Sequence, residues 1–353
     1  MPRTAAISVA MALAASASAA SETFLLIPDT GADRIWAFSA FDGSVISNNY
    51  IPADGIMKQV MQVAQLPGGT LVMADPGTSQ ACAADDGVRE YTPCGQYIRT
   101  IASSADGVCN PEGITVAYGK AWFVRLYDAA SEPTPGRSAL WSFNVDGTGL
   151  AEGCLNVGLD KPWGILPFQG GFLVSDSTDD NVEFVRLDCV PAAPFMDSDG
   201  ATGPNFPQQV SLMADGSIGV ASFSSPTTGL YFYGPDGTPL DVHNPLVAPR
   251  GIFQLGNGEI LYTGGTAVRA FNPVKFTDRL IINQTGASFR WISAMRRCDG
   301  DLDCSGAVNG ADLGVLLGGW GGAGAGDLND DGTVDGADLG LLLSEWGGCS
   351  VNG

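Results

Sequence analysis

The chain has 353 residues, of which 38 are acidic and 17 basic, so its formal net charge is −21. An acidic protein repels the phosphate backbone, which argues against binding of nucleic acid. Eight cysteines and 48 glycines accompany many short apolar runs, a composition typical of an exported, mainly β protein with disulfides.

Residues 1–20 have the pattern of a secretory signal peptide. Arg3 precedes an apolar run that ends at Ala15, and small residues follow up to Ala20, so cleavage is expected after residue 19 or 20. This run is too short for a membrane span, and no other apolar stretch reaches the roughly 18 residues that a spanning helix needs. The sequence therefore predicts a secreted protein, extracellular or associated with the cell surface.

The body of the chain carries a degenerate repeat that begins at a Pro-x-Gly-like tetrapeptide. Its spacing of 40 to 54 residues suits the four-stranded blades of a β-propeller. The copies lie at 57–60, 111–114, 162–165, 207–210, 249–252 and 289–292.

Each repeat continues with a second apolar strand that often ends in aspartate, and with a third strand that ends in an aromatic residue before a tight turn. The strand-end residues Asp29, Asp75, Asp128 and Asp176 are interpreted as turn caps rather than metal ligands. The first unit starts directly at its second strand, and the segment 288–295 supplies the missing one. We expect this pairing to close a ring of six blades, with seven as the alternative.

The repeat resembles those of the NHL and SMP-30/gluconolactonase-like six-bladed propellers over residues 22–297. The SMP-30 resemblance implies a metal site of acidic and amide residues at the mouth of the ring, for which Glu112 is the counterpart here. It would also allow a lyase or lactonase that works through carboxylates and a divalent ion. His243 is the only histidine of the chain, which argues against Ser-His-Asp chemistry and His-rich zinc sites. Whether the protein is an enzyme therefore stays open.

The residue after each Pro-like position is expected to face the mouth of the ring. These positions are Lys58, Glu112, Trp163, Gln208, Arg250 and Arg290. Three bases at one opening of an acidic protein would focus an anionic ligand such as a glycan, and an indole offers a platform for a sugar ring. The alternative is structural: the bases pair with Glu112 and the strand-end aspartates, and Trp163 covers a neighbouring blade.

The last fifty residues contain a twelve-residue acidic loop twice, with oxygen ligands at positions 1, 3, 5, 9 and 12, glycine at 6 and a backbone carbonyl at 7. This is the pattern of a calcium loop, with Asp in place of Glu at position 12. The expected ligands of two calcium ions are Asp301, Asp303, Ser305, Ala307, Asn309 and Asp312 in the first loop, and Asp327, Asn329, Asp331, Thr333, Asp335 and Asp338 in the second.

Each loop precedes a short apolar helical stripe, and no helix is expected before either loop. The pair resembles a dockerin type I repeat over residues 298–350. The resemblance implies an extracellular partner, cohesin-like or of another kind, and a link to polysaccharide processing. Because Cys298 and Cys349 bracket the pair, we expect a disulfide between them.

These features are compatible with three alternative functions. The first is a secreted protein whose propeller recognises a partner or glycan while the calcium module tethers it to an assembly. The second is a lyase or hydrolase acting on an anionic saccharide. The third is a structural surface protein that needs calcium only for folding.

Overall fold

The computed structural model describes residues 23–78, 82–126, 139–155, 159–296, 298–329 and 331–348. The chain is a six-bladed β-propeller: its described residues form six antiparallel sheets, or blades, and the described residues from Cys298 to Gly348 form a small module with two short helices. The six-blade expectation is thus confirmed over the seven-blade alternative.

Blades one to three contain the following strands in chain order: β1 (Thr23–Asp29), β2 (Arg34–Ser39), β3 (Val45–Ile51), β4 (Gln62–Gln65), β5 (Leu71–Asp75), β6 (Gly87–Tyr91), β7 (Tyr97–Ser103), β8 (Pro111–Ala117), β9 (Lys120–Arg125), β10 (Ala139–Asn144) and β11 (Ala151–Leu155). Blades four to six and the closing strand are β12 (Pro162–Phe168), β13 (Gly171–Asp176), β14 (Val182–Arg186), β15 (Pro207–Leu212), β16 (Ile218–Ser222), β17 (Gly229–Tyr233), β18 (Pro239–His243), β19 (Gly251–Gln254), β20 (Ile260–Gly264), β21 (Ala267–Asn272), β22 (Thr277–Asn283) and β23 (Ser293–Arg296).

Second strands such as β1, β5 and β13 are buried and largely apolar at successive positions because both faces of each blade are covered. In β1, Phe24 and Leu26 pack toward blade two, whereas Leu25 and Ile27 pack toward blade six. Alternate side chains of a strand point to opposite faces, so a strand between two neighbouring blades must be hydrophobic throughout. One such apolar cluster fills each of the six junctions between blades.

The ring is closed by β23, which pairs antiparallel with β1. The partners run from Thr23 opposite Arg296 to Leu26 opposite Ser293. The ladder is shorter than the segment 288–295 expected from the sequence, and an isolated bridge between Asp29 and Phe289 extends it upstream. This pairing leaves blade one without a free inner edge.

The glycine of the repeat is required by close approach of the next blade. A Cβ added to Gly113 would lie 2.5 Å from the carbonyl oxygen of Trp163, and one added to Gly164 would lie 2.5 Å from that of Gln208. Any side chain at these positions would push adjacent inner strands apart. The repeat is therefore a signature of how blades pack around the axis.

Blade four has three strands in the described residues, and a long segment after β14 takes the place of a fourth. Within the described residues, the β-pairing between β14 and this segment is limited to an isolated antiparallel bridge between Val182 and Met196. The Cys154–Cys189 disulfide ties the start of the segment to β11 of blade three.

The C-terminal module comprises β24 (Ala307–Val308), α1 (Gly310–Gly318), α2 (Gly336–Ser344) and β25 (Gly347–Gly348). Its small core consists of Val308, Leu316, Val334 and Leu342, that is, one loop residue and one helix residue from each copy. The two copies therefore pack against each other with equivalent residues.

The module is fixed to the propeller. The Cys94–Cys304 disulfide joins the turn between β6 and β7 to the first acidic loop. Gly306 of that loop lies against the turn of blade two, where a Cβ on Gly69 would be 2.2 Å from the carbonyl oxygen of Gly306. Between these points, Gln65 donates to the carbonyl oxygen of Arg296 at 3.2 Å and accepts from its N–H at 3.0 Å.

Two further findings concern the predicted disulfides and membrane spans. The third cross-link in the described chain is Cys82–Cys109. Cys298 is disulfide-bonded, but its predicted partner Cys349 lies outside the described residues. No helix within the described ranges has the length and apolar character needed to cross a membrane.

Candidate functional site

The strand-end aspartates hold the loops that lead into the inner strands. Asp75 accepts from the N–H groups of Lys58 and Gln59, both at 2.9 Å. Asp176 likewise accepts from the N–H of Asp160 at 2.6 Å, and Asp29 accepts from that of Ser288 at 2.8 Å. These carboxylates accept from backbone N–H groups of the loops, as the sequence indicates, and thereby fix the positions of the mouth residues that follow. Asp128 lies outside the described residues.

A hydroxyl one residue before the end of the second strand links neighbouring blades in two places. Ser175 accepts from the N–H of Gly164 at 2.8 Å and donates to the carbonyl oxygen of Gln208. Thr263 accepts from the N–H of Gly251 at 2.8 Å and donates to the carbonyl oxygen of Arg290 at 2.6 Å. Mouth residues on adjacent blades are thus locked in register.

Three of the six predicted mouth residues form one electrostatic cluster. Burial raises the pKa of Glu112 to about 8, although the charges of Arg290 and Arg250 act to lower it. Burial also lowers the pKa of Arg250 to about 10, and the neighbouring Arg290 contributes to that shift. The pKa of Arg290 is lowered by burial, against the effect of Glu112. Glu112 is therefore largely protonated near neutral pH, beside two guanidinium groups.

Several polar atoms at this level lack hydrogen-bond partners within the described chain. They are Oε2 of Glu112, Nε of Arg250 and both amide atoms of Gln208. The Gln208 side chain is fully buried and Glu112 is only 3% exposed. A buried polar atom without a partner costs about 1–3 kcal/mol, so this set is unusual for a site with a purely structural role.

Aromatic side chains form the floor and one wall of the mouth. Trp291 is fully buried, and its ring meets that of Trp163 edge-on at 6.4 Å although the two belong to opposite blades. Phe223 supports the guanidinium of Arg250, whose carbon lies 4.0 Å from the ring centroid. Sequence reasoning did not assign Trp291 a role, but there was a signal: this copy of the repeat has Trp where three others have Gly.

Lys58 is not part of the Glu112 cluster. It lies in the loop before β4, and its charge acts to lower the pKa of Asp33, which is raised mainly by burial and then by Asp75.

Below the mouth, the inner strands surround a central cavity of about 320 Å³, lined in part by Gln62, Gln209 and Ile292. The six predicted mouth residues do not line this cavity.

The first acidic loop brings three of its predicted calcium ligands close together. Carboxylate oxygens of Asp301, Asp303 and Asp312 lie within 4.8 Å of one another. The carbonyl oxygen of Ala307 accepts from Oγ of Ser305 at 3.2 Å and from Nδ2 of Asn309 at 3.0 Å, so the other three predicted ligands of this loop contact one another. Oxygen donors alone, closely gathered, fit a hard cation such as calcium.

The second loop repeats the hydrogen bonds of the first. At position 1, Asp301 and Asp327 each accept from the N–H groups of positions 5 and 6, at 2.8–3.1 Å. At position 12, Asp312 and Asp338 each accept from the N–H of position 9 at 2.7–2.8 Å. The side chain of Asn329 donates to Asp331 at 2.9 Å. Thr333, whose carbonyl is the predicted ligand at position 7, comes two residues after Asp331 in the same loop.

The residue at position 9 of each loop begins the helix that follows. Asn309 and Asp335 accept from the N–H groups of Ala311 and Ala337 at 2.7–2.8 Å, as helix N-caps do. Each loop is therefore continuous with its helix, and a ligand in the loop would order both.

Two other candidate centres are excluded by their contacts. Cys82, Asp86 and Cys109 cluster within metal-binding distance, but both sulfur atoms are consumed by the disulfide. His243 ends β18 and stacks on Phe271 at 3.5 Å, so its imidazole is held by packing within blades five and six. Burial lowers the pKa of His243.

No protein-family model and no curated protein matches the chain. Solved structures do resemble it. A nidogen/laminin complex matches with a TM-score of 0.61 and 14% identity, over 77% of this chain and 98% of that one. A protein of unknown function from Bacteroides caccae matches with a TM-score of 0.56 and 14% identity, over 78% and 100%. A putative gluconolactonase matches with a TM-score of 0.49 and 17% identity, over 76% and 90%. At these identities the likeness concerns the fold alone.

Proposed function

We propose that this is an exported binding protein whose C-terminal module binds two calcium ions and attaches the propeller to an extracellular partner or assembly. The observation that carries the proposal is the repetition of one hydrogen-bond pattern in two acidic loops, each continuous with a helix. Calcium coordination by six to eight oxygens needs such a loop, and two copies in one small module are difficult to explain otherwise.

The helices support the attachment role. They present apolar side chains at equivalent positions of the two copies: Leu317 and Leu343 are each 51% exposed, and Trp320 and Trp346 are 50% and 51% exposed. Exposed indoles and leucines that recur with the internal symmetry of a module favour a protein partner, cohesin-like or of another kind.

Calorimetric titration of the full chain with calcium tests the proposal. We expect two ions per chain, and one ion for either Asp303→Ala or Asp331→Ala, because each change removes an exposed ligand from one loop. Asp199→Ala is the matched control, since Asp199 caps an exposed turn through Ala201 and Thr202 and should leave both ions bound. A chain that binds no calcium, or binds it equally well in both variants, would reject the proposal.

A purely structural role of calcium predicts a different outcome for the partner. If the module serves attachment, Trp320→Ala and Trp346→Ala should abolish capture by a cell-surface extract while both ions still bind. If calcium serves folding alone, these variants should behave like the unchanged chain in both assays.

Turnover of an anionic saccharide is the second candidate, favoured by one observation. Glu112 combines burial with a pKa raised to about 8, which suits a general acid at neutral pH. Release of new reducing ends from polyuronate by the unchanged chain, and its loss in Glu112→Gln, would establish this activity. No release at high protein concentration would eliminate it.

A further inference from the structure

We propose that the mouth of the propeller binds an organic carboxylate, such as the uronate group of an acidic saccharide, through the guanidinium groups of Arg250 and Arg290. This names the ligand class for the recognition role proposed above, and it does not depend on calcium. The proposal rests on charge, on unpaired polar atoms and on the way the arginines are held.

The two guanidinium groups carry positive charge without local compensation. Arg250 and Arg290 lie on adjacent blades and each forms no ion pair with any residue in the described chain. Glu112 is the carboxyl group that influences both. The structural alternative, in which Glu112 neutralises the bases by direct pairing, is therefore not what is observed.

Both arginines are positioned in advance. Phe223 lies beneath the guanidinium of Arg250, and Nε of Arg290 donates to Oγ1 of Thr30 at 3.0 Å. Nε of Arg250 is buried and has no partner among the described residues, so the fold leaves this donor unsatisfied. A planar guanidinium with free N–H groups matches the two oxygens of a carboxylate.

The remaining mouth residues suit the rest of an acidic sugar. Gln208 and Glu112 carry buried polar atoms without partners in the described chain, and these could meet hydroxyl groups of a ligand. Trp163 is half-buried and donates from Nε1 to Oγ of Ser177 at 2.8 Å, which fixes the plane of its indole. A fixed indole beside paired donors is an arrangement that recognises a pyranose ring.

A divalent cation fits this mouth poorly. The charges that act on Glu112 are those of Arg290, Asp86 and Arg250, so two guanidinium groups face one further carboxylate. A metal of the kind that the SMP-30 resemblance implies would need several acidic or amide ligands and would be repelled by both arginines. The charge at this site therefore selects an anion.

The test is calorimetric titration of the full chain with glucuronate, glucose and acetate, in calcium and in EDTA. We expect saturable binding of glucuronate in both buffers and none of glucose. Arg250→Gln and Arg290→Gln should each weaken glucuronate binding about 10- to 100-fold, as expected for loss of a charged hydrogen bond. Acetate that competes with glucuronate would show that the carboxylate suffices, and acetate that fails to compete would show that the sugar ring is also required.

Arg186→Gln is the matched control, because Arg186 is exposed and pairs with Asp188 on the outside of blade four. It should bind glucuronate like the unchanged chain. If Arg250→Gln does not fold, the unchanged chain still decides the matter, since about tenfold more salt should weaken glucuronate binding. Equal binding of glucose and glucuronate, or unaltered affinity in folded Arg290→Gln, would overturn the proposal. Loss of calcium binding in the loop variants would not affect it.

Discussion

The substitution Glu112→Gln should remove a pH dependence of stability that the unchanged chain shows. Glutamine reproduces the shape of the protonated acid, and burial raises the pKa of Glu112 from 4.5 to about 8. The folded state thus holds a proton that the unfolded chain releases, so the stabilisation present below pH 4.5 is lost as the pH rises toward 8. Above that pH the unchanged chain should be the less stable of the two.

The magnitude follows from the two pKa values. Each tenfold change in proton affinity corresponds to about 1.4 kcal/mol, so a pKa of about 8 in place of 4.5 corresponds to at most about 5 kcal/mol. Relaxation of the charged form reduces this, and we expect a difference in unfolding free energy of about 2–5 kcal/mol between pH 4.5 and pH 9. Asp86, whose pKa is raised to about 6 mainly by burial, affects both proteins and cancels in the comparison to first order.

The assay is urea unfolding of both proteins, followed by tryptophan fluorescence at intervals across this pH range in one calcium concentration. Glu259→Gln provides a control of opposite sign, because the hydrogen bond from Arg279 lowers the pKa of Glu259. That variant should lose stability relative to the unchanged chain as the pH rises to 4.5, and the difference should stay constant above it, so its titrations begin at about pH 3. A Glu112→Gln difference that is flat from pH 4.5 to 9, or that grows in the opposite direction, would refute the reasoning.

Two further predictions concern the packing of blades and the attachment of the module. Gly164→Ala should lower the unfolding free energy by about 1–3 kcal/mol, because its Cβ would lie 2.5 Å from the carbonyl oxygen of Gln208. The control is Gly340→Ala in α2, which should be neutral or stabilising because the added carbon meets nothing within 4 Å. Equal effects of the two substitutions in thermal melts would contradict this explanation. Replacing Cys94 and Cys304 by serine should cost about 1–2 kcal/mol more than replacing Cys154 and Cys189, because the first pair closes a loop with a sequence separation of 210 and the second one of 35. Denaturant titrations in which the second pair costs more would oppose that prediction.

The number of blades was predictable from the sequence because one physical constraint recurs in three of the six blades and anchors the alignment of the others. Inner strands approach so closely that Gly113, Gly164 and Gly251 each face a carbonyl group of the next blade. The constraint leaves a periodic Pro-x-Gly pattern, and counting its copies counts the blades. The same alignment places Glu112, Arg250 and Arg290 at equivalent positions, which explains why they influence one another.

The attachment of the C-terminal module to the propeller could not be predicted from the sequence in this way. Cys94 and Cys304 are separated by 210 positions, and nothing in their local sequences marks them as partners among the fifteen connectivities open to six cysteines. The contact between Gly69 and Gly306 likewise depends on where two turns meet in space. The burial of Trp291 follows from its place on the axis of the ring, which becomes visible only when all blades are assembled.

The Cys94–Cys304 disulfide has a mechanical consequence. Without it, force applied to α1 or α2 by a bound partner would travel along the backbone into β23 and peel that short strand from β1, opening the ring. With it, tension beyond residue 304 has a second covalent route, which enters blade two near β6 and β7 and takes part of the load from the pairing of β23 with β1. The disulfide therefore protects the closure of the ring against tension applied through the C-terminal module.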